Sequence, residues 1–414
     1  MKKTNIINTF NQLVVMFTLI FALATVAAAQ VVEPSPIAES SATARVFQMP
    51  DLSTPEAYLQ YLRANSQNVA AANFSLLPNG NIDWRDPVIL HNAETKMPLA
   101  SLVKVIHLAA YAKAVTEGQL NPHQLVPVGE LDNLYLPGTD GFAHLAALQD
   151  LGIATDEFGF ARNPATTITL EQMVRAMIRF SDNTVPDWLL ARLGDGAFRE
   201  VIRQGGLTGQ DLPIFIAGFN LALENHEQGL LSAQSEREFL NLSPFAFARL
   251  VKQLQVRFQD PAWKSAEFTW RLANQDLLGN RTFLTKTFVR WPNGTVLDYA
   301  MLLARLSQGT FLSREISATM RRFLETSLLP SLLDDPNQFS VWGSKGGSWD
   351  GGFQTNAIYA IPRSGAFANK RRIAVLFERN MALPVFDEVS RTFIDIKFEA
   401  KVLADRAFAM QLLR

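Results

Sequence analysis

The sequence predicts an α+β fold, with one antiparallel sheet built from both chain ends, flanked by helices, and an all-helical lobe between those ends. Three observations carry that expectation. Strand-like runs near Val69–Leu76 and Pro87–His91 enclose the turn signal Asn79-Gly80-Asn81. Two apolar runs, Asn356–Ile361 and Arg372–Phe377, are separated by the turn-rich PRSGAFANK, as in an antiparallel hairpin. Between them the apolar residues recur mostly at helical spacing, so strands come first and last and helices in the middle.

Taken in order, residues 1–29 read as an export signal. Lys2 and Lys3 form the positive start, Leu13–Ala24 the apolar stretch, and Ala27-Ala28-Ala29 the small residues before a mature start at Gln30. The apolar run reaches only about 17 residues against the ~20 that span a bilayer, so cleavage is expected and no stable membrane span should remain. Residues 30–53, rich in Pro, Ser and Ala, read as a linker. Ser53-Thr54-Pro55-Glu56 opens a helix that continues through Leu62. Apolar residues at Leu99, Leu102, Val103, Ile106, Ala109 and Ala110 predict a helix over about Leu99–Glu117, apolar on most sides and therefore buried. Residues 168–193 read as two helical segments broken at Ser181-Asp182-Asn183. Residues 205–290 are mixed and read as an insertion. Helices follow at Leu297–Ser307 and Arg314–Glu325, and one more over about Phe386–Leu413. The expected organisation is thus signal 1–29, linker 30–53, and a single domain 54–414 carrying the insertion, working as a monomer.

Composition narrows the chemistry. With 48% hydrophobic and 19% charged residues among 414, the chain has material for a core and is not globally disordered. Lys+Arg number 38 and Asp+Glu 39, so no basic excess favours a nucleic-acid partner. The absence of Cys rules out disulfides, Cys-ligated metals, a Cys nucleophile and a lipid-modified Cys anchor. The five His show no short ligand spacing, so neither a metal nor another cofactor is expected.

The remaining candidates are serine and lysine. In Ser101-Leu102-Val103-Lys104 the i, i+3 spacing puts both side chains on one helix face. A serine hydroxyl needs a base to become a nucleophile, and burial lowers a lysine pKa towards that role. Ser-x-x-Lys alone is common, but here it lies on an apolar helix where a solvated lysine would be out of place. Ser181-Asp182-Asn183 would otherwise be an ordinary helix-capping turn. Lys345-Gly346-Gly347 would otherwise be a loop before a strand; as a site it offers a cation, with glycines admitting substrate to the backbone.

Together, in this order, the three motifs resemble those of the penicillin-recognising serine hydrolases, most closely the class A β-lactamase-like branch. Residues 168–194 resemble that family's helix–SDN–helix segment, 295–326 its paired helices, and 343–377 its lysine strand and hairpin. The resemblance covers most of 56–414 except about 205–290. It implies that Ser101 is acylated, with Lys104 as its base or proton path, and that Ser181 relays a proton to the leaving nitrogen. It implies that Asn183 binds the substrate amide, that Lys345 faces a substrate carboxylate, with Gly347 beside it, and that the N–H groups of Ser101 and Ser348 form an oxyanion hole. The implied substrate is a small molecule, a β-lactam or a peptidoglycan-like peptide, and the implied location periplasmic or secreted.

Two departures stand out. Gly346 replaces the usual Thr or Ser, with Ser344 or Ser348 as possible substitutes for the lost hydroxyl. No glutamate sits in register for a deacylating loop: in Ser235-Glu236-Arg237-Glu238-Phe239-Leu240-Asn241 the acids fall one position to either side. Glu236, Glu238, Glu224 and Glu227 are candidates, although an ordinary surface acid is the favoured reading of each. The departures leave open β-lactam hydrolysis, a slowly deacylating D-Ala-D-Ala carboxypeptidase or penicillin-binding protein, an esterase, and a non-catalytic cell-wall binding module.

Overall fold

The computed structural model describes residues 47–413. The export signal and most of the expected linker lie outside them. Residues 47–53 form neither helix nor strand, and Leu52 is buried with Tyr58 and Phe398. Helix α1 (Pro55–Ala64) starts where Thr54 accepts from the Ala57 N–H and Pro55 occupies the first turn.

Five strands form the main sheet: β1 (Val69–Leu76), β2 (Ile89–His91), β3 (Phe339–Trp349), β4 (Phe353–Pro362) and β5 (Arg371–Glu378). Their order is β2-β1-β5-β4-β3, all neighbours antiparallel. The N-terminal β1 lies against the C-terminal β5 from Val69↔Glu378 to Leu76↔Arg371, so both chain ends build one sheet. Strand β3 is an edge, and Lys345 and Gly347 share one of its faces because side chains alternate along a strand.

That face meets the helical lobe. Helix α2 (Lys104–Thr116) is buried on nearly every side, as its composition predicts. Helices α3 (Val128–Asp132) and α4 (Ala143–Asp150) follow, then α5 (Leu170–Arg179) and α6 (Thr184–Gly205), the last kinked where Gly194 takes φ 70°. The 205–290 stretch is helical too: α7 (Ile216–Leu223), α8 (Ala233–Asn241), α9 (Pro244–Arg257), α10 (Pro261–Ala273) and α11 (Arg281–Thr287). Ser243-Pro244 and Asp260-Pro261 start α9 and α10 with a side-chain cap and a proline in the first turn. Helices α12 (Val296–Gln308) and α13 (Arg314–Leu324) lie where their patterning predicts.

The opposite face is covered by α1 and the C-terminal helices. Here the expectation of one helix over Phe386–Leu413 fails. The chain forms α14 (Leu383–Thr392), α15 (Ile394–Ala404) and α16 (Arg406–Gln411). Phe393 adopts a left-handed φ of 53°, and Asp405 accepts from the Ala407 and Phe408 N–H groups, capping a new start. Among the described residues no helix is long and apolar enough to cross a membrane.

Candidate active site

The site is assembled from three segments far apart in sequence. The first is the turn entering α2. The expected α-helix from Leu99 begins instead as a tight 3-10 turn, Ala100–Val103, with α2 proper starting at Lys104. Ala100 takes φ 46°, a conformation that costs an L-residue free energy and that clusters at functional sites. The turn is fixed from outside: Thr355 Oγ1 donates to Leu99 O at 2.9 Å, and the Trp291 indole N–H donates to Ala100 O at 3.1 Å. Ser101 is half-buried and Lys104 wholly buried.

The second segment is the loop between α5 and α6. Ser181 also has a positive φ, 68°. It lies under Lys104, whose Nζ is 3.0 Å from Ser101 Oγ, 3.1 Å from Ser181 Oγ and 2.6 Å from Asn183 Oδ1, and also donates to Ser181 O. The carbonyl and amide oxygens can only accept, so they take two Nζ protons. In the neutral amine the lone pair is left for the Ser101 hydroxyl, the arrangement a general base requires.

The third segment is strand β3. Lys345 Nζ donates to Ser181 Oγ at 3.0 Å and to Gly346 O at 2.6 Å. Ser181 therefore joins the two lysines through one hydroxyl, which can accept from one and donate to the other. Gly347 packs directly on the turn that carries Ser101: a Cβ there would lie 2.5 Å from Ser101 N and 2.7 Å from Leu102 N, both backbone atoms. Gly347→Ala should therefore displace the turn from the strand and slow acylation of Ser101 by about 100-fold, the cost of a misplacement near 1 Å; a stopped-flow acylation assay reads this directly.

The missing hydroxyl at Gly346 has a packing cause. Its Cβ would point to the other face and meet Asn356 Oδ1 at 2.7 Å. Ser344 cannot replace it, because its hydroxyl donates to Ser327 and accepts from the Trp342 indole. Ser348 is exposed on the edge strand.

Burial dominates the electrostatics. It pulls the Lys104 pKa down to about 7, against the opposing charges of Asp182, Asp140 and Asp187. Lys345 lies well below its ordinary value, first through burial and then through the neighbouring Lys104 charge. Neither ammonium contacts a carboxylate directly among the described residues. Burial also pushes Asp187 up to about 7, and its carboxylate accepts from the Ile216 and Ala217 N–H groups, tying α6 to the start of α7.

The deacylation candidates are held elsewhere. Glu224 accepts from the Gly279 and Leu231 N–H groups, Glu236 pairs with Lys286 at 3.3 Å, Glu238 is exposed and accepts from Gln234, and Glu227 pairs with Arg257. None is hydrogen-bonded to Ser101, Lys104 or Ser181. His107 is core: it packs edge-on to Phe198, and burial holds its pKa down at about 3. Among the described residues no group of three or more His, Asp or Glu side chains is placed to hold a metal ion.

Sequence reasoning missed two supports. Phe219, Phe288, Trp291, Trp349 and Phe353 form one aromatic cluster, with Phe288 stacked on Trp349 at 4.4 Å and 4°. It joins the insertion to the end of β3 and, through Trp291, to Ala100. The other is His144, whose ring nitrogens lie 2.8 Å from Asp182 Oδ2 and 3.0 Å from Asp132 Oδ1.

An antiparallel sheet from both chain ends, a helical lobe, and a buried serine–lysine pair between them define the penicillin-recognising serine hydrolase class. A family model described as the beta-lactamase enzyme family matches residues 83–359, and the chain belongs to that family. Among solved structures, a β-lactamase from Sphaerobacter thermophilus DSM 20745 is 17% identical with a TM-score of 0.50, covering 87% of this chain and 98% of that one. A β-lactamase from Chitinophaga pinensis DSM 2588 is 15% identical with a TM-score of 0.47, covering 84% and 98%. No curated protein sequence matches the chain.

Proposed function

We propose that the chain is an exported serine hydrolase that forms an acyl-enzyme on Ser101 by opening β-lactam rings. The observation that carries this reading is the continuous contact Ser101–Lys104–Ser181–Lys345 in a buried site. Neutral Lys104 takes the Ser101 proton as Oγ attacks the lactam carbonyl, and the N–H groups of Ser101 and Ser348 hold the oxyanion. Ser181 passes the proton to the leaving nitrogen as the ring opens. Asn183 binds the substrate amide, and a substrate carboxylate draws Lys345 back to its charged form. The substrate is a small acyl donor, the protein acts as a monomer without nucleic acid or cofactor, and the export signal sends it to the periplasm or outside the cell.

A second reading is favoured by one observation: Glu224, Glu236, Glu238 and Glu227 all have partners away from Ser101. An acyl-enzyme without a nearby carboxylate to activate water persists, as in a penicillin-binding protein or D-Ala-D-Ala carboxypeptidase with slow deacylation. Incubation with penicillin G, followed by intact mass and ring-opening absorbance, separates the two. Rapid opening without a lasting adduct supports hydrolysis. A persistent adduct, absent in Ser101→Ala, supports the second reading. No adduct and no opening eliminate both and leave an esterase or binding module. Acylation should also rise with pH through about 7, because the Lys104 pKa lies there and only its unprotonated form accepts the serine proton.

A further inference from the structure

His144 is wholly buried on α4, outside every motif, yet both its ring nitrogens meet carboxylates. A neutral imidazole has one N–H and can donate to only one of them; donating to both carboxylates takes the imidazolium. One partner, Asp182, lies between Ser181 and Asn183 and also accepts from the Thr184 N–H and hydroxyl, both at 2.7 Å. The other, Asp132, accepts from the Ala161 N–H at 3.1 Å. Tyr135 packs on the ring at a 4.5 Å centroid distance.

We propose that His144 is a positioning residue that acts as a buried cation, cancelling the charge of Asp182 and so leaving Lys104 free to serve as the base for Ser101. The charges facing Lys104 define the logic. On the loop after α5 and on α6 are Asp182 and Asp187, before α4 is Asp140, on β3 is Lys345, and on α2 itself is the neutral His107. Asp182 is the strongest influence favouring protonated Lys104. Around His144 stand Asp182, Asp132, Asp140 and Tyr135, with Lys264 of α10 reaching the Asp132 carbonyl at 3.0 Å. Burial works against a charge on His144, but Asp182 and Asp132 outweigh it and hold its pKa up at about 10. The imidazolium therefore persists through neutral pH, and Asp182 stays compensated wherever Lys104 titrates.

The inference rests on Lys104 being the base in the acylation proposed above, and its test keeps the two apart. The titration of Lys104 is followed in the full protein by NMR of labelled lysine, assigned by its loss in Lys104→Met, alongside the pH profile of penicillin G acylation. In His144→Gln the uncompensated Asp182 should raise the Lys104 midpoint and the acid limb of acylation by about one unit, roughly a fivefold loss at pH 7 that is regained at higher pH. In Asp182→Asn both should move the opposite way by a similar amount, and the double variant should return near wild type. A purely structural role would lower rates at every pH without moving the midpoint, and that result overturns the inference. Should His144→Gln not fold, an unmoved midpoint in Asp182→Asn overturns it equally. Opposite midpoint shifts in a wild-type background that penicillin G fails to acylate would leave this inference standing and remove the acylation reading.

Discussion

Lys104→Met should slow acylation of Ser101 by about 1,000-fold, within the range general-base catalysis contributes, while the protein remains folded. Methionine matches the lysine stem in length and fills the same space, so the core around α2 keeps its packing. The variant removes an ammonium whose burial is already unfavourable, as its depressed pKa records. Against that, Ser181 O and Asn183 Oδ1 lose their donor, a cost of roughly 1–3 kcal/mol per buried acceptor left unpaired. The two effects oppose each other, so thermal unfolding should shift far less than activity. Circular dichroism melting and stopped-flow acylation on one preparation measure both. Near-normal acylation in the variant would transfer the role of base to another group. Lys345, joined to Ser181 from the other side, would be the first to examine.

The candidate site was legible because its residues are polar and set in local patterns. Ser101 and Lys104 are one helical turn apart, and Ser181 and Asn183 sit in one tripeptide. The sheet was legible because β4 and β5 carry short continuous apolar runs, buried almost throughout, and the hairpin between them is rich in turn residues. What escaped notice depends on distance in sequence. His144 lies 12 residues from Asp132 and 38 from Asp182, so nothing local marks it as a cation. The aromatic cluster gathers residues from Phe219 to Phe353, and none announces that it will touch the turn that carries Ser101. Gly346 read as a lost hydroxyl; the structure supplies its cause in Asn356, ten residues on and directly opposite across the β3–β4 pair. The break at Phe393 went unread because phenylalanine rarely adopts a left-handed conformation, and its helical periodicity continues on both sides.

The face of the sheet behind the site carries the second large effect. Glu378 at the end of β5 and Asp395 and Glu399 on α15 are all buried, and Asp395 and Glu399 share one helix face at i, i+4. Tyr58 donates to Glu378, and Gln354 and Asn356 donate to Asp395 at 2.9 and 2.7 Å. Both Glu399 oxygens lack a hydrogen-bond partner among the described residues, and no cation pairs with any of the three acids there. Burial therefore raises all three pKa values, that of Glu378 from 4.5 to about 8. The folded state thus holds a proton that the unfolded state releases once the pH passes 4.5. Stability is lost as pH rises from there to about 8, at up to ~1.4 kcal/mol per pH unit for each such group. Calorimetry should accordingly find the protein less stable at pH 8 than at pH 5. Glu378→Gln keeps the acceptor for Tyr58 and cannot ionise. It should shrink that difference by up to about 4 kcal/mol, from the same slope applied over three pH units. A wild-type stability that climbs steadily from pH 5 to pH 8, or a Glu378→Gln curve parallel to it, would show that these acids ionise in place, with water or movement of α15 relieving their burial.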